Sequence, residues 1–229
     1  MEHSFLFFVK LFELIGLGHF VETYPFVVYT WVVMLILVSL ALLSRSALTL
    51  IPGKLQNVLE IAIDGLENFT VETGGEKIRP MFPLLATLFL FILVSNLISL
   101  IPGFLPPTAS LNTTLACALI VFIMTHYLGI KSNGVRYIKQ FMGPVWWLAP
   151  LFLVIETISH FARILSLSFR LFGNMMGHEI VLTILFMLVG AFFLPLPIMA
   201  LGVMVAVVQA LVFYLLSVIY FSTAMDEAH

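Results

Sequence analysis

Residues 165–174 read LSLSFRLFGN, and they decide the fold because they place Arg170 in the middle of a membrane-length apolar helix. Arginine keeps its positive charge in a protein, so something must hold that charge in a medium of low dielectric constant. Insertion scales put the cost of such a charge at about 2.5–3.5 kcal/mol at a helix centre. We therefore interpret Arg170 as a residue that the protein uses.

The composition around this stretch is that of a membrane protein. The chain has 229 residues, of which 62% are hydrophobic and 10% are charged, and its mean hydropathy is +1.15. Soluble domains carry roughly 25% charged residues. The lone Cys117 excludes an internal disulfide, and no nucleotide-binding loop or metal-ligand spacing is present. We expect an all-α polytopic protein with no cofactor, no metal and no nucleic-acid partner.

Five stretches of about 17 residues or more predict five membrane-crossing helices within a single membrane domain. They cover residues 25–43, 81–101, 113–130, 146–189 and 197–222. Residues 1–24 have apolar side chains at helical spacing and predict an N-terminal interfacial segment without a cleavable signal. Pro195 and Pro197 predict a turn between the last two helices, because proline forfeits a helical hydrogen bond.

The basic residues predict the orientation of the chain. Seven of the ten Lys and Arg residues lie in two loops that face the same side, residues 44–80 and the loop that begins at Lys131. By the positive-inside rule both loops are cytoplasmic, the N-terminus is outside and the C-terminus is inside. The 44–80 loop also carries an apolar face, which predicts an amphipathic helix on the membrane surface. Thr73-Gly74-Gly75 predicts a flexible break after it.

One face of the fourth span is polar. Glu156, Arg163 and Arg170 are spaced by seven residues, so they share a helical face with a drift of about 20° per heptad. Three other polar residues fall on the same face: Ser159, Ser166 and Asn174. His160 lies four residues after Glu156 and can pair with it. This face predicts a hydrated cavity or another protein surface. Two alternatives stay open: Glu156 and His160 as a structural pair, and Arg163 as an interfacial anchor.

Glu179 points in another direction. It lies nine residues after Arg170, which is about 180° around the helix at 100° per residue. One helix thus offers a fixed cation on one face and a titratable carboxylate on the other, which suits two separate aqueous environments. Glu179 with His178, and Glu156 with His160, are candidates to exchange protons. The alternative for Arg170 is a buried ion pair, but no other span supplies an unpaired carboxylate.

Two further polar residues lie in apolar spans. Gln209 is the strongly polar residue of the fifth span, and small residues at three- and four-residue steps surround it. Small residues permit close helix approach in a bilayer. Asn96 lies in the second span. Hydrogen bonding between helices is an alternative to a role in proton transfer for both residues.

Several motifs resemble those of one known family. SFRLFGNM at residues 168–175, followed by Glu179, resembles the signature of subunit a of the F-type ATP synthase. Gln209-Ala210 and the YFS ending at 220–222 are similar to that family's last helix. Asn96-Leu97 and PTASLN at residues 107–112 are similar to its second span and the loop that follows. The resemblance covers residues 25 to 222.

The resemblance implies a proton-translocating stator subunit that is not an enzyme on its own. It implies two offset half-channels beside a ring of c subunits, with Arg170 between them and the last two helices forming a long tilted hairpin. Asn174 and Gln209 would flank the arginine. Glu179 would serve the outer half-channel, and Glu156, Ser159 and Arg163 the cytoplasmic one. Partners would be the c ring, peripheral-stalk b subunits and the complete synthase in a bacterial inner membrane.

The sequence departs from the family pattern at one position. Some bacterial members place a histidine on the last helix near the outer carboxylate, whereas this chain has Gly202 there. His178, adjacent to Glu179, is a candidate substitute. A stand-alone secondary transporter or ion channel that uses the same polar face is the alternative function.

Overall fold

Helices make up every regular element in the described part of the chain. The structure is a computed structural model, and it describes residues 23–46, 53–101, 104–134, 137, 146–189 and 195–226. Six α-helices follow one another: α1 Pro25–Ser46, α2 Lys54–Gly74, α3 Phe82–Ile98, α4 Leu111–Asn133, α5 Ala149–Val189 and α6 Pro195–Met225. Short 3₁₀ segments precede α3, α4 and α5, at Glu76–Met81, Pro107–Ala109 and Trp146–Leu148. The predicted interfacial segment lies almost wholly outside the described residues.

Five of these helices are long and apolar enough to cross a membrane. They are α1, α3 with its preceding 3₁₀ segment, α4, α5 and α6. Their length and composition, together with the absence of strands from the described ranges, confirm the prediction of an all-α polytopic membrane protein.

The break predicted at residues 73–75 falls at Gly75, where α2 ends. Gly75 ends α2 with a φ of +79°, a backbone angle that residues other than glycine rarely adopt. Its N–H donates to the carbonyl of Val71 at 2.8 Å, which satisfies a carbonyl of the last helical turn. The chain then enters the 3₁₀ segment that leads into α3.

The turn predicted at the two prolines is displaced. Pro195 is the first residue of α6, and Pro197 lies within its first turn. Both are compatible with a helix start, because the first backbone N–H groups of a helix have no intrahelical acceptor and proline already has a helical φ. The prolines therefore begin the last helix instead of forming the connection before it.

Helix α6 lies at the centre of the bundle and contacts α3, α4 and α5. Helix α2 packs against the C-terminal half of α6. The inner face of α6 is fully buried, and its side chains there include Ala210, Phe213, Tyr214, Val218 and Phe221. By contrast, only 17% of the apolar stretch of α5 that could cross the membrane is buried. Helix α5 therefore presents one long side to its surroundings.

The length of α5 is unusual for a membrane helix. Its 41 residues correspond to about 62 Å at 1.5 Å per residue. A hydrocarbon core is about 30 Å thick, so a helix of that length fits within it only if it is strongly tilted.

Candidate functional site

Arg170 lies on the outward side of α5. Its side chain is exposed, as are Ser166 and Asn174 one turn before and one turn after it. The opposite side of the same turns is buried against the bundle through Leu171 and Met175. Among the residues that the structure describes, no carboxylate pairs with Arg170 and no hydrogen bond reaches it. The charge is thus presented outward and is not neutralised by these parts of the chain.

A hydrogen bond joins α5 to α6 beside Arg170. The Asn174 amide donates through Nδ2 to Oε1 of Gln209 at 2.8 Å. Gln209 is only 5% exposed, and the buried Ala206 and Ala210 lie near it on α6. Small side chains let the two helices approach closely. The structure therefore brings Asn174 and Gln209 together one helical turn from Arg170.

His178 and Gly202 share one space between α5 and α6. A Cβ atom added to Gly202 would collide with Nε2 of His178 and would lie 2.7 Å from its Cε1 and 2.8 Å from Cδ2 of Leu100. The imidazole therefore fills the volume that a side chain at position 202 would need. Its Nε2 lies 3.5 Å from the carbonyl oxygen of Ile198, and its buried Nδ1 has no hydrogen-bond partner in the described part of the chain.

Glu179 is half-buried beside His178. It lies on the same continuous helix as Arg170, so the nine-residue spacing places the two side chains on opposite sides of α5, as helical geometry requires. No ion pair to Glu179 occurs within the described ranges. A half-buried carboxylate next to an imidazole is a suitable proton exchanger.

A second polar cluster lies toward the N-terminal end of α5. His160 Nε2 lies 3.4 Å from Oε1 of Glu156, and Ser159 is half-buried beside them. Arg163 turns toward α6 and places its guanidinium 5.5 Å from the ring centroid of Tyr220. A cation over an aromatic face is attracted by the ring quadrupole. The polar face of α5 therefore turns inward at Arg163 and outward at Arg170.

Two residues of this cluster were not among the residues predicted from the sequence. The His126 ring of α4 lies 4.9 Å from the His160 ring, and His126 Nδ1 lies 2.8 Å from the hydroxyl of Tyr137. An ionisable residue inside an apolar span was the available signal for His126. Tyr137 gave none, because it lies between two predicted spans and reaches His126 only through the fold.

Tyr137 is buried although it lies outside the helices that span the membrane. Burial raises its pKa above the ordinary value of about 10; Glu156 raises it further, and Arg163 lowers it. The phenol is therefore protonated at neutral pH. Any stability that depends on the neutral phenol is present below pH 10 and is lost as pH rises through the higher pKa of the folded state.

Two small cavities adjoin this cluster. The larger has a volume of about 50 Å³ and the smaller one of about 20 Å³. Both are lined by residues of the cluster, which include Thr125, His160, Arg163 and Tyr220. A site needs roughly 10–15 Å³ of such volume to hold one water molecule, so the larger cavity accommodates several.

Asn96 ties α3 to the rest of the bundle. It is fully buried, accepts a hydrogen bond from Thr108 at 2.8 Å and donates to the carbonyl of Ala206 at 3.4 Å. These contacts are those of a residue that bonds between helices, the alternative considered for it above. The described residues contain no group of three or more His, Cys, Asp or Glu side chains that is able to hold a metal ion.

Comparison with known proteins identifies a family. The model of the family described as ATP synthase A chain matches residues 27–222. The ATP synthase subunit a of Desulfosudis oleivorans is 62% identical over 229 residues, and those of Geotalea daltonii and Geobacter sulfurreducens are 52% identical over 231 and 230 residues. In each comparison the similarity covers 100% of both chains.

Proposed function

Because this chain belongs to the ATP synthase A chain family, we propose that it forms two proton half-channels beside a rotating ring of c subunits and that Arg170 separates them. As a family member it is a membrane subunit of the rotary ATP synthase and not an enzyme on its own. Membership favours this function over a stand-alone transporter or channel.

The outward charge of Arg170 carries the proposal. An exposed guanidinium that lies on an apolar helix and has no carboxylate within the described residues needs an anion from another chain. A carboxylate on a c subunit supplies that anion. The Asn174–Gln209 hydrogen bond supports the arrangement, because it fixes α5 against α6 within one turn of the arginine.

The two polar clusters are proposed to serve the two half-channels. Glu179 and His178 would exchange protons with the outer side, and the cluster of Glu156, Ser159, His160 and Arg163 with the cytoplasm. Each ring carboxylate takes a proton from one half-channel, passes through lipid while neutral and releases the proton into the other. The membrane potential contributes about 2.3 kcal/mol per charge per 100 mV.

Arg170 acts electrostatically in this scheme, because a guanidinium that never releases its proton cannot relay one. It favours the ionised form of the passing ring carboxylate and repels protons that would cross directly between the half-channels. Asn96 would contribute through the hydrogen bonds that hold α3 against α6, beside the path.

The proposed assembly and orientation follow the same scheme. The exposed side of α5 would face the c ring, and peripheral-stalk b subunits would contact the chain elsewhere. The basic loops and the C-terminus would lie in the cytoplasm of a bacterial cell, and the N-terminus outside.

Arg170→Ala tests the proposal in inverted membrane vesicles that contain the complete synthase. We expect assembly to persist, while ATP-driven acidification is abolished because nothing separates the half-channels. Arg79→Ala is the matched control, since Arg79 is an exposed arginine that pairs with Glu67 far from the site. Undiminished acidification by an assembled Arg170→Ala complex would contradict the proposal.

A further inference from the structure

We propose that His126 and Tyr137 form a proton relay that leads from the Glu156–His160 pair to the segment between α4 and α5. The inference rests on the proposed function, because the relay would be the outermost part of the cytoplasmic half-channel. Neither residue lies on the polar face of α5. The relay would therefore give the half-channel a branch through α4, a helix that does not carry Arg170.

The geometry provides a continuous series of proton-exchanging groups. Glu156 lies 3.4 Å from His160, the His160 and His126 rings lie 4.9 Å apart, and His126 lies 2.8 Å from the hydroxyl of Tyr137. The series begins on α5, crosses to α4 and ends at Tyr137, between α4 and α5. Direct contacts join Glu156 to His160 and His126 to Tyr137, and the step between the two rings is within reach of one bridging water.

The larger cavity has room for water beside His160, on one side of that step. Its volume of about 50 Å³ accommodates several molecules, and the lining mixes hydroxyl, imidazole, carboxylate and guanidinium groups. Tyr137, Glu156 and His160 all line it. Water in this cavity would contact three members of the series at once.

Each group of the relay returns to its neutral form after a proton has passed. A proton that binds one ring nitrogen of His126 allows the proton on the other nitrogen to leave, so the imidazole is neutral again after the transfer. When Nδ1 releases its proton to the oxygen of Tyr137, the hydroxyl proton of Tyr137 passes to water on its other side. The reverse sequence carries a proton inward. Neither direction leaves a net charge on the relay.

The charged and titratable groups around the relay favour transfer over storage. They come from α5, from α6 and from the segment between α4 and α5, and they are Glu156, His160, Arg163, Tyr137 and Tyr220. Arg163 places a fixed positive charge beside the His160 imidazole, and like charges repel. A proton that enters the relay is therefore passed on.

Gly129 leaves the space that the ring of Tyr137 occupies. A Cβ atom at position 129 would collide with the phenol ring, with Cζ at 2.6 Å and Cδ2 at 2.8 Å. Glycine therefore lets the ring lie directly on the backbone of α4, which sets the hydroxyl opposite His126. A purely structural role is the competing explanation, since His126 also packs edge-on against Phe122 at 4.3 Å.

His126→Asn separates the two explanations. Asparagine keeps an amide near the position of Nδ1 for the hydrogen bond to Tyr137, but it does not take up a proton near neutral pH. We expect the complete synthase to assemble and ATP-driven acidification to fall about tenfold. That is less than the 10²–10⁴-fold typical of a positioned proton-transfer group, because cavity water remains as a parallel path. The loss should grow with pH as protons become scarce.

Tyr137→Phe provides a second variant, because it keeps the ring on Gly129 and removes only the hydroxyl. Its matched control is Tyr127→Phe, which makes the same change at a side chain that is 53% exposed on α4. We expect acidification to fall in the first variant and to stay unchanged in the second. If His126→Asn does not assemble, Tyr137→Phe decides the question alone.

Arg170→Ala, measured in the same vesicles, distinguishes failure of the relay from failure of the proposed function. Parental acidification at every pH in His126→Asn and Tyr137→Phe, with none in Arg170→Ala, would overturn the relay alone. Parental acidification in Arg170→Ala would overturn the proposed function as well. A pH-dependent loss in both relay variants is the expected result.

Discussion

His178 and Gly202 form one unit at the scale of single residues, although they lie on different helices. The imidazole of His178 occupies the space above the α-carbon of Gly202, so only one of the two positions can carry a large side chain. Some bacterial members of the family place a histidine at this position of the last helix, and in this chain the imidazole of His178 reaches the same space from α5.

Exchanging the two residues tests this interpretation. We expect His178→Ala to lower ATP-driven acidification about 10²-fold, the lower end of the range for a proton-transfer residue. Adding Gly202→His should restore a substantial part, because the new imidazole enters the space that His178 has left. Impaired pumping without any recovery in the double variant would show that position 202 does not take over the role.

Gly129 makes a comparable prediction for the opposite end of the bundle. Gly129→Ala forces its Cβ against the Tyr137 ring, and overpacking of this kind costs typically about 1–3 kcal/mol. Gly65→Ala is the control, because nothing lies within 4 Å of a Cβ at that helical position. Thermal unfolding of the purified complex should shift downward in the first variant only. Equal unfolding temperatures for the two would contradict the packing described here.

At the scale of helices, α2 is attached to α6 by buried hydrogen bonds rather than by charge. The hydroxyls of Thr70 and Tyr214 are hydrogen-bonded, and Tyr214 also donates to the carbonyl of Leu66 at 3.2 Å. Near the end of α6, Ser222 donates to the carbonyl of Gly74 at 3.1 Å. These contacts fix the helix of the 44–80 loop against the bundle.

Tyr214→Phe should loosen that attachment. It leaves the buried Thr70 hydroxyl with its bond to the Leu66 carbonyl alone, and the loss of one hydrogen bond costs about 0.5–1.5 kcal/mol. We expect faster proteolysis within the 44–80 loop of the purified complex, with Tyr127→Phe as the control that removes an exposed hydroxyl. Unchanged cleavage would mean that packing alone holds α2.

The sequence was a good guide to the helices and a partial guide to the site. Hydropathy located α4 and α5 closely, because a membrane span must be continuous and apolar. It missed the start of α6 at Pro195, since proline signals a break and a helix start alike. Periodicity found Glu156 and Arg163 on one helix. It was not able to find Tyr137, whose contact with His126 depends on how the chain folds back.

At the scale of the whole molecule, one side of α5 is exposed and no other described helix packs against it. Arg170 and Ser166 are exposed on that side. The proposed c ring would cover that side, so accessibility there should differ between the free subunit and the complete synthase.

Ser166→Cys measures that difference. Ser166 is exposed one turn before Arg170, whereas the native Cys117 is 5% exposed and should react poorly. We expect a water-soluble maleimide to label the variant in the isolated subunit and to label it much less in the complete synthase. Glu60→Cys on α2 is the control for general access. Equal labelling of Ser166→Cys in both samples would argue against a ring on this side.

The continuity of α5 also has a mechanical meaning. In the proposed assembly the rotor would push sideways on Arg170, and a bent or hinged helix behind it would absorb part of that load. Leu167, Leu171 and Met175 lie directly behind the arginine and are buried in the bundle, whose close-packed interior compresses little. Pro150, the proline of α5, lies in its first turn, where it does not weaken the rod. In the proposed assembly the 41-residue helix would therefore resist bending and pass the load on Arg170 to α6.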